Sequence, residues 1–324
     1  MRKPLLMLVL AAALNGLTAC ASAPSADLGS APGVKEGSTP SKGSTLIIKD
    51  FADRSITFPS APQKIVALAN GEMDIVYALG GTLVGRPTAT VPAALQAAQS
   101  VEQVGSTHGL DLEKIALLNP DVVLGNHPLN TKDIPGVEGI GSKMVLTSAN
   151  SIDDIKKQIG LFGQLLQKED KAKELTQAID QKLQELKTTP STAKTRVLMV
   201  YGAPGTYMAA LNNSLSGDIL VSAGGENIAA DYPKLDNYPQ YAQMNTEKIM
   251  KSNPQLIVIM THGSPEKVKD GFMKEMQQNA AWSSLDAVKN NHIEILPADL
   301  FGTNPGTKVV EALDLMSKRL QAAK

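Results

Sequence analysis

Four histidines, His108, His127, His262 and His292, and one cysteine, Cys20, are the residues of this 324-residue chain whose types could do chemistry. Imidazole takes up protons or metal ions near neutral pH. His108 stands in VGSTHGLDLEKI beside Gly109, just ahead of a helix start. Glycine lets the backbone turn sharply, so this imidazole is displayed rather than packed. His127 closes the segment VVLGNH, and His262 follows QLIVIMT and precedes Gly263 and Pro265. Ligands of parallel sheets gather beyond the carboxyl ends of strands, which suits a cleft role for His262. A histidine there can equally cap the strand end by hydrogen bonding, and His108 can equally be a solvated loop residue. His292, before IEILP, reads as structural. No dense His/Asp/Glu cluster suggests free zinc or manganese. The chain has no Gly-x-Ser-x-Gly elbow, no phosphate loop and no cysteine beyond Cys20, so nothing motivates an enzyme.

Cys20 belongs to a different signal. MRK supplies a basic start, PLLMLVLAAALNGL a short apolar core, and LTAC a close. The apolar run is too short for a membrane span and reads as a secretory signal over residues 1–19. Leu17-Thr18-Ala19-Cys20 resembles the bacterial lipobox, whose cysteine is lipidated and becomes the first mature residue. The segment from Ala21 to Ser44 is rich in Ala, Gly, Ser and Pro and reads as a flexible tether. It would span about 25–30 Å, enough to stand a domain off a membrane. With 31 basic and 32 acidic residues and no basic run, nucleic acid is not an expected partner.

Beyond the tether, residues 45–150 alternate strands and helices. KIVALANGEMDIVYALGGTLVGRPT reads as strand, helix, strand, with Gly80-Gly81 stopping the helix. LEKIALLNPDVVLGNH reads as a short amphipathic helix, an Asn-Pro break and a buried strand over Val122–Leu124. Such alternation predicts a parallel sheet covered by helices. The same phrase recurs 134 residues later: Glu113-Lys114-Ile115 leads to Asn119-Pro120, and Glu247-Lys248-Ile249 leads to Asn253-Pro254. Agreement at five positions predicts two related lobes. Between them, residues 151–190 are dense in helix formers. Ser151 is the predicted cap, Ile152, Ile155, Ile159 and Phe162 form one stripe, and about 168–187 forms a ~30 Å strut between lobes. Residues 191–324 form the second lobe, through RVLMVYGAPGTYMAAL, a helix around SGDILVSAGGEN, the repeated unit, HIEILP and a terminal helix from about Thr307.

KIVALANGEMDIVYALG, DLEKIALLNPDVVL, SAGGEN and MNTEKIMKSNPQLIVI, in that order, resemble the substrate-binding lipoproteins of ABC importers for iron complexes, haem and cobalamin. The likeness runs from Lys64 to Leu320. VLMVYGAPGTYMAAL, GDILVSAGGEN, THGSPEKV and AWSSLDAVKNNH are similar to segments of the haem-binding lipoproteins of the iron-regulated surface determinant type. The resemblance implies an α/β fold of two Rossmann-like lobes with central parallel-type sheets, joined by a single long backbone helix. It implies no enzyme but a haem receptor, lipid-anchored outside the cytoplasm, delivering to a permease and its ATPase. An upstream haem donor and a monomeric state go with that role. The subgroup holds haem iron with a methionine from the first lobe and a histidine from the second. His262 falls on the histidine position, whereas His108 stands where the subgroup has methionine, and His127 is the alternative from the internal repeat. Two axial histidines would leave the iron no open position, which suits hand-over. Met73, Tyr201, Tyr207 and Met208 are candidate pocket walls, and Arg86 or amides near Gly80-Gly81 candidate propionate donors. Glu113 and Glu247 match the family's permease-docking glutamates, although a carboxylate in a helix's first turn is also favoured by the dipole. A ferric siderophore or cobalamin is the alternative cargo. Only Arg54, Arg86, Arg196 and Arg319 follow the signal, with Trp282 the one tryptophan, few groups for an anionic siderophore.

Overall fold

The computed structural model describes residues 45–188, 194–203, 205–261 and 265–323. Cys20, the signal, the tether and His262 lie outside the described residues.

The first sheet has five strands, all parallel, in spatial order Glu102–Gln103, Gly85–Arg86, Ile65–Ala67, Val122–Asn126 and Lys143–Thr147. Its apolar runs are continuous because both faces are covered. Ile65, Ala67, Val122, Leu124 and Val145 enter one core, while Val66, Val123, Met144 and Leu146 enter another on the opposite face. Helix Asn70–Ala78 follows strand Ile65–Ala67 and ends where Gly80 takes φ 80°.

The second sheet is centred on Arg196–Ala203. Leu256–Met260 and then Ile293–Ile295 lie parallel on one side. On the other side, Thr206–Ala210 pairs antiparallel with the central strand, Tyr241–Gln243 pairs antiparallel with Thr206–Ala210, and Glu226–Asn227 adds a short parallel pair. The expectation of parallel pairing therefore describes the first sheet fully and the second in part. The difference arises at Gly205, whose φ of 79° lets the chain turn straight back as a hairpin.

Ser151 accepts a hydrogen bond from the Asp154 amide at 3.0 Å and caps helix Ile152–Leu166. Gln167, left-handed at φ 53°, ends it, and helix Glu169–Thr188 follows with 20 residues, about 30 Å long. Gly163 meets Ala172 so closely that a β-carbon would collide with it.

The lobes do not have separate interiors. Val197, Met199, Leu256, Val258 and Met260 of the second sheet join Ile65, Ala67, Ile155, Ile159 and Phe162 in one hydrophobic cluster. The alternate residues Leu198, Val200, Ile257 and Ile259 pack into a cluster on the outer face of the second lobe. Gly43–Lys324 accordingly forms one compact unit. The chain also crosses back near its end: the turn Gly306–Lys308, just before helix Val309–Ala322, packs on the first-lobe helix Asn70–Ala78. A second connection thus accompanies the backbone helix.

Candidate functional site

The duplicated phrase folds into duplicated geometry. Asp111 caps helix Leu112–Leu118 by accepting from the Lys114 amide at 3.1 Å, and Asn245 caps Thr246–Ser252 by accepting from the Lys248 amide at 2.9 Å. Each helix ends on a left-handed asparagine, Asn119 at φ 46° and Asn253 at φ 42°. Each lysine pairs with an acid, Lys114 with Glu102 at 2.8 Å and Lys248 with Asp231 at 3.2 Å. Glu113 and Glu247 are exposed in equivalent first turns. Beside Glu113 lies a groove of about 620 Å³ lined by Gly105, Gly109, Asp111 and Lys114.

His108 occupies the exposed tip of a hairpin between Gly105–Ser106 and Gly109–Leu110, where its amide donates to Ser106 Oγ at 3.2 Å. The glycine that the turn requires is Gly105, at φ 97°; a β-carbon there would also strike the Gly109 carbonyl, while the space around Gly109 is open. His127 follows strand Val122–Asn126 and is half-buried, with Nδ1 3.4 Å from Thr131 Oγ1. Asn130 brings both histidine segments to one end of the sheet. Fully buried, it accepts from the Asn126 amide at 2.9 Å and donates to the Thr107 carbonyl at 3.0 Å and to Asp133 at 2.8 Å. Asn130→Ala is expected to lower stability by about 2 kcal/mol, because buried partners lose their hydrogen bonds. Urea titration would read the loss, and hydrogen exchange should quicken at residues 105–110.

On the second lobe, Met208, Tyr201 and Met260 form a row across three neighbouring strands. Tyr241 packs on Tyr201 with ring centroids 5.2 Å apart. Tyr207 and Met208 are consecutive on one strand and so face opposite sides of the sheet. Tyr207 turns outward, against Phe272, and donates its hydroxyl to the Val268 carbonyl at 3.1 Å. It therefore does not share a wall with Tyr201 and Met208. Met73 is fully buried in the shared core and offers no surface to a cargo. Arg86 is not a solvated charge: it is 7 % exposed and donates to the Pro87 carbonyl at 2.9 Å, with its Nε buried and unpaired. His292 sits at the opposite end of its strand from the sheet's carboxyl edge, Nδ1 3.2 Å from the Gln255 carbonyl. Among the described residues, no group of three or more His, Cys, Asp or Glu is placed to hold a metal ion, and no helix is long and apolar enough to cross a membrane.

One group of buried polar residues carries no motif. Glu72 and Asp74, on either side of Met73, are buried carboxylates of helix Asn70–Ala78, and Gln158 is a fully buried amide within the apolar stripe of the next long helix. Their only sequence signal is polarity on faces that otherwise read as core.

Residues 65–300 match the family described as periplasmic binding protein. The chain belongs to that family. It is a substrate-binding protein of the kind that serves ABC importers; its homologues work outside the cytoplasm as binding proteins and not as enzymes. The high-affinity heme uptake system protein IsdE of Staphylococcus aureus is 30% identical over 235 residues, 71% of this chain and 78% of that protein. The crystal structure of S. aureus IsdE complexed with heme has a TM-score of 0.68 at 28% identity, covering 79% of this chain and 98% of that one. An ABC transporter substrate-binding protein from Listeria monocytogenes EGD-e is 31% identical with a TM-score of 0.68, covering 80% of this chain and 99% of that one.

Proposed function

We propose that this periplasmic binding protein carries haem at the carboxyl ends of its two sheets and delivers it to an ABC permease and ATPase. The observation that carries the reading is the 30% identity to a heme uptake protein across most of both chains. His262 is the second-lobe axial ligand. His108, exposed on a hairpin that Asn130 ties down, is the first-lobe ligand, with His127 the alternative at the same end of the sheet. Imidazole on both faces fills the iron's coordination and keeps it from oxygen chemistry. Tyr201 and Met208, sharing one face, are the polarizable wall. Glu113 and Glu247, presented alike by the two lobes, meet basic residues of the permease. Cys20 carries the lipid that holds the protein at the bacterial cell membrane.

The test is titration of the chain lacking residues 1–20 with haemin, followed by visible spectroscopy, with ferric siderophores and cobalamin as rival ligands. A low-spin, six-coordinate complex is expected at one haem per chain. His262→Ala and His108→Ala should each shift it toward high spin, and His127→Ala should leave it unchanged. Absence of a stoichiometric haem complex removes the haem reading; a spectrum disturbed by His127→Ala but not by His108→Ala transfers the first-lobe role to His127.

A further inference from the structure

A polar chain crosses between the lobes at the end of the molecule where both sheets present their carboxyl edges. It starts at Thr147, the last residue of its first-lobe strand, whose Oγ1 accepts from Gln158 Nε2 at 2.6 Å. Gln158 Oε1 accepts from Asn304 Nδ2 at 2.8 Å, and Asn304 Oδ1 accepts from the Gly306 amide at 2.9 Å. Asp74 Oδ2, from the first lobe, accepts twice from Thr307, from its amide at 2.6 Å and its hydroxyl at 2.7 Å. Both amide side chains thus have their orientation set by donors and acceptors on each end.

The packing around this chain leaves no slack. Gly71 lies so close to Asn304 that a β-carbon would overlap its carboxamide, and Gly306, at φ 63°, lies against the Asp74 carboxylate. On the other side, a β-carbon on Gly302 would lie 3.0 Å from the Thr261 carbonyl. Thr261 directly follows strand Leu256–Met260 and directly precedes His262 in the sequence. The segment 302–307 therefore touches the first-lobe helix on one side and, on the other, the second-lobe strand end that leads to His262.

We propose that Asn304 and Thr307 are positioning residues of a polar clasp, which presets the two lobes at the separation the cargo requires. The hydrophobic cluster shared by the lobes is non-directional and tolerates sliding; hydrogen bonds with fixed donors and acceptors set register. A preset arrangement matters for binding because a cargo-competent state populated at one part in ten weakens the apparent affinity tenfold. The inference rests on the haem reading for its probe, not for its geometry.

The test compares the protein lacking residues 1–20 with its N304A/T307V variant, using haemin titration and small-angle scattering without ligand. Thr307→Ser, which keeps the hydroxyl, is the conservative control. Loss of the clasp is expected to enlarge the unliganded particle and to weaken haemin binding about tenfold. The spectrum of the saturated complex should stay the same, and Thr307→Ser should behave as the parent. A purely structural role would lower thermal stability and leave the affinity of the folded protein unchanged. Unchanged affinity together with an unchanged radius of gyration in the folded double variant overturns the proposal. If the parent itself takes up no haemin, the cargo reading falls, and the scattering comparison alone then decides the clasp: an enlarged variant supports it and an unchanged one removes it.

Discussion

Asp50→Ala is expected to destabilise the protein by about 3 kcal/mol, the low end of what breaking a buried ion pair costs. Asp50 is 4 % exposed and its carboxylate organises the turn between strands Leu46–Lys49 and Ser55–Phe58. Oδ1 accepts from the Ala52 and Arg54 amides, both at 3.0 Å. Oδ2 accepts from Arg54 Nε at 3.0 Å, from Arg54 Nη2 at 2.6 Å and from the Leu146 amide at 3.2 Å. Arg54 Nη2 also donates to the Met144 carbonyl at 2.6 Å, so the pair ties the turn to the edge strand Lys143–Thr147. Removing the carboxylate strands three backbone donors in a site partly closed to water and leaves Arg54 only the Met144 carbonyl and Glu138, 3.7 Å away, and each lost partner adds to the cost. The Arg54 side chain is 27% exposed, so water recovers part of it. Urea denaturation of the two proteins measures the difference; a loss below about 1 kcal/mol would show that the hairpin is held by Ile48, Ile56 and Phe58 alone, which pack into the shared core.

Glu72→Gln is expected to act in the opposite sense and only above acidic pH. The Glu72 carboxyl is pushed up to about 7, first by burial; hydrogen bonds from its own backbone, from Gln158 and from Thr147 oppose the shift without cancelling it. Its Oε2 is buried and unpaired. A folded-state value raised above the ordinary 4.5 means that the folded protein keeps a proton the unfolded chain has released. The contribution to stability is fully present below about pH 4.5 and is lost as pH rises through about 7. Across that window stability should fall by about 3 kcal/mol in total, at up to ~1.4 kcal/mol per pH unit. Glutamine has the shape of the protonated acid and does not titrate. The variant should therefore match the parent near pH 5 and exceed it by up to about 3 kcal/mol at pH 8. Chemical denaturation at both pH values reads this directly, and parallel pH profiles for the two proteins would rule Glu72 out as the titrating group. Asp74 is also raised by burial, against hydrogen bonds from Thr307, so a variant combining Glu72→Gln with Asp74→Asn is the proper control for its share.

Much of the architecture was legible in the chain because it rests on local physics. Continuous apolar runs such as QLIVIM and VVL announce strands covered on both faces, and the alternation of Leu256, Val258 and Met260 with Ile257 and Ile259 between two cores is the reason. Ser151 caps its helix and Ile152, Ile155, Ile159 and Phe162 are buried together, as their spacing requires. The repeated Glu-Lys-Ile and Asn-Pro signals mark two helices with the same caps, since Asx residues accept at a helix start and adopt the left-handed conformation at its end.

What needed the tertiary structure is whatever depends on residues distant in the chain. Met73 looks like a candidate wall by type, yet it faces the interior, because only packing decides which side of a helix is enclosed. Tyr207 and Met208 part company once their strand is fixed in the sheet, and Arg86, a candidate propionate donor by type, is buried. Asn130 and Asn304 have no sequence signature at all: an asparagine becomes a hub only when partners such as Thr107 and Gln158 are brought to it. The amino-acid sequence by itself determined the elements and the two related lobes, because periodicity and caps are properties of short stretches. Which side chains are presented, and how the lobes are tied, was decided by contacts between residues as far apart as Asp74 and Thr307, which exist only in the folded protein.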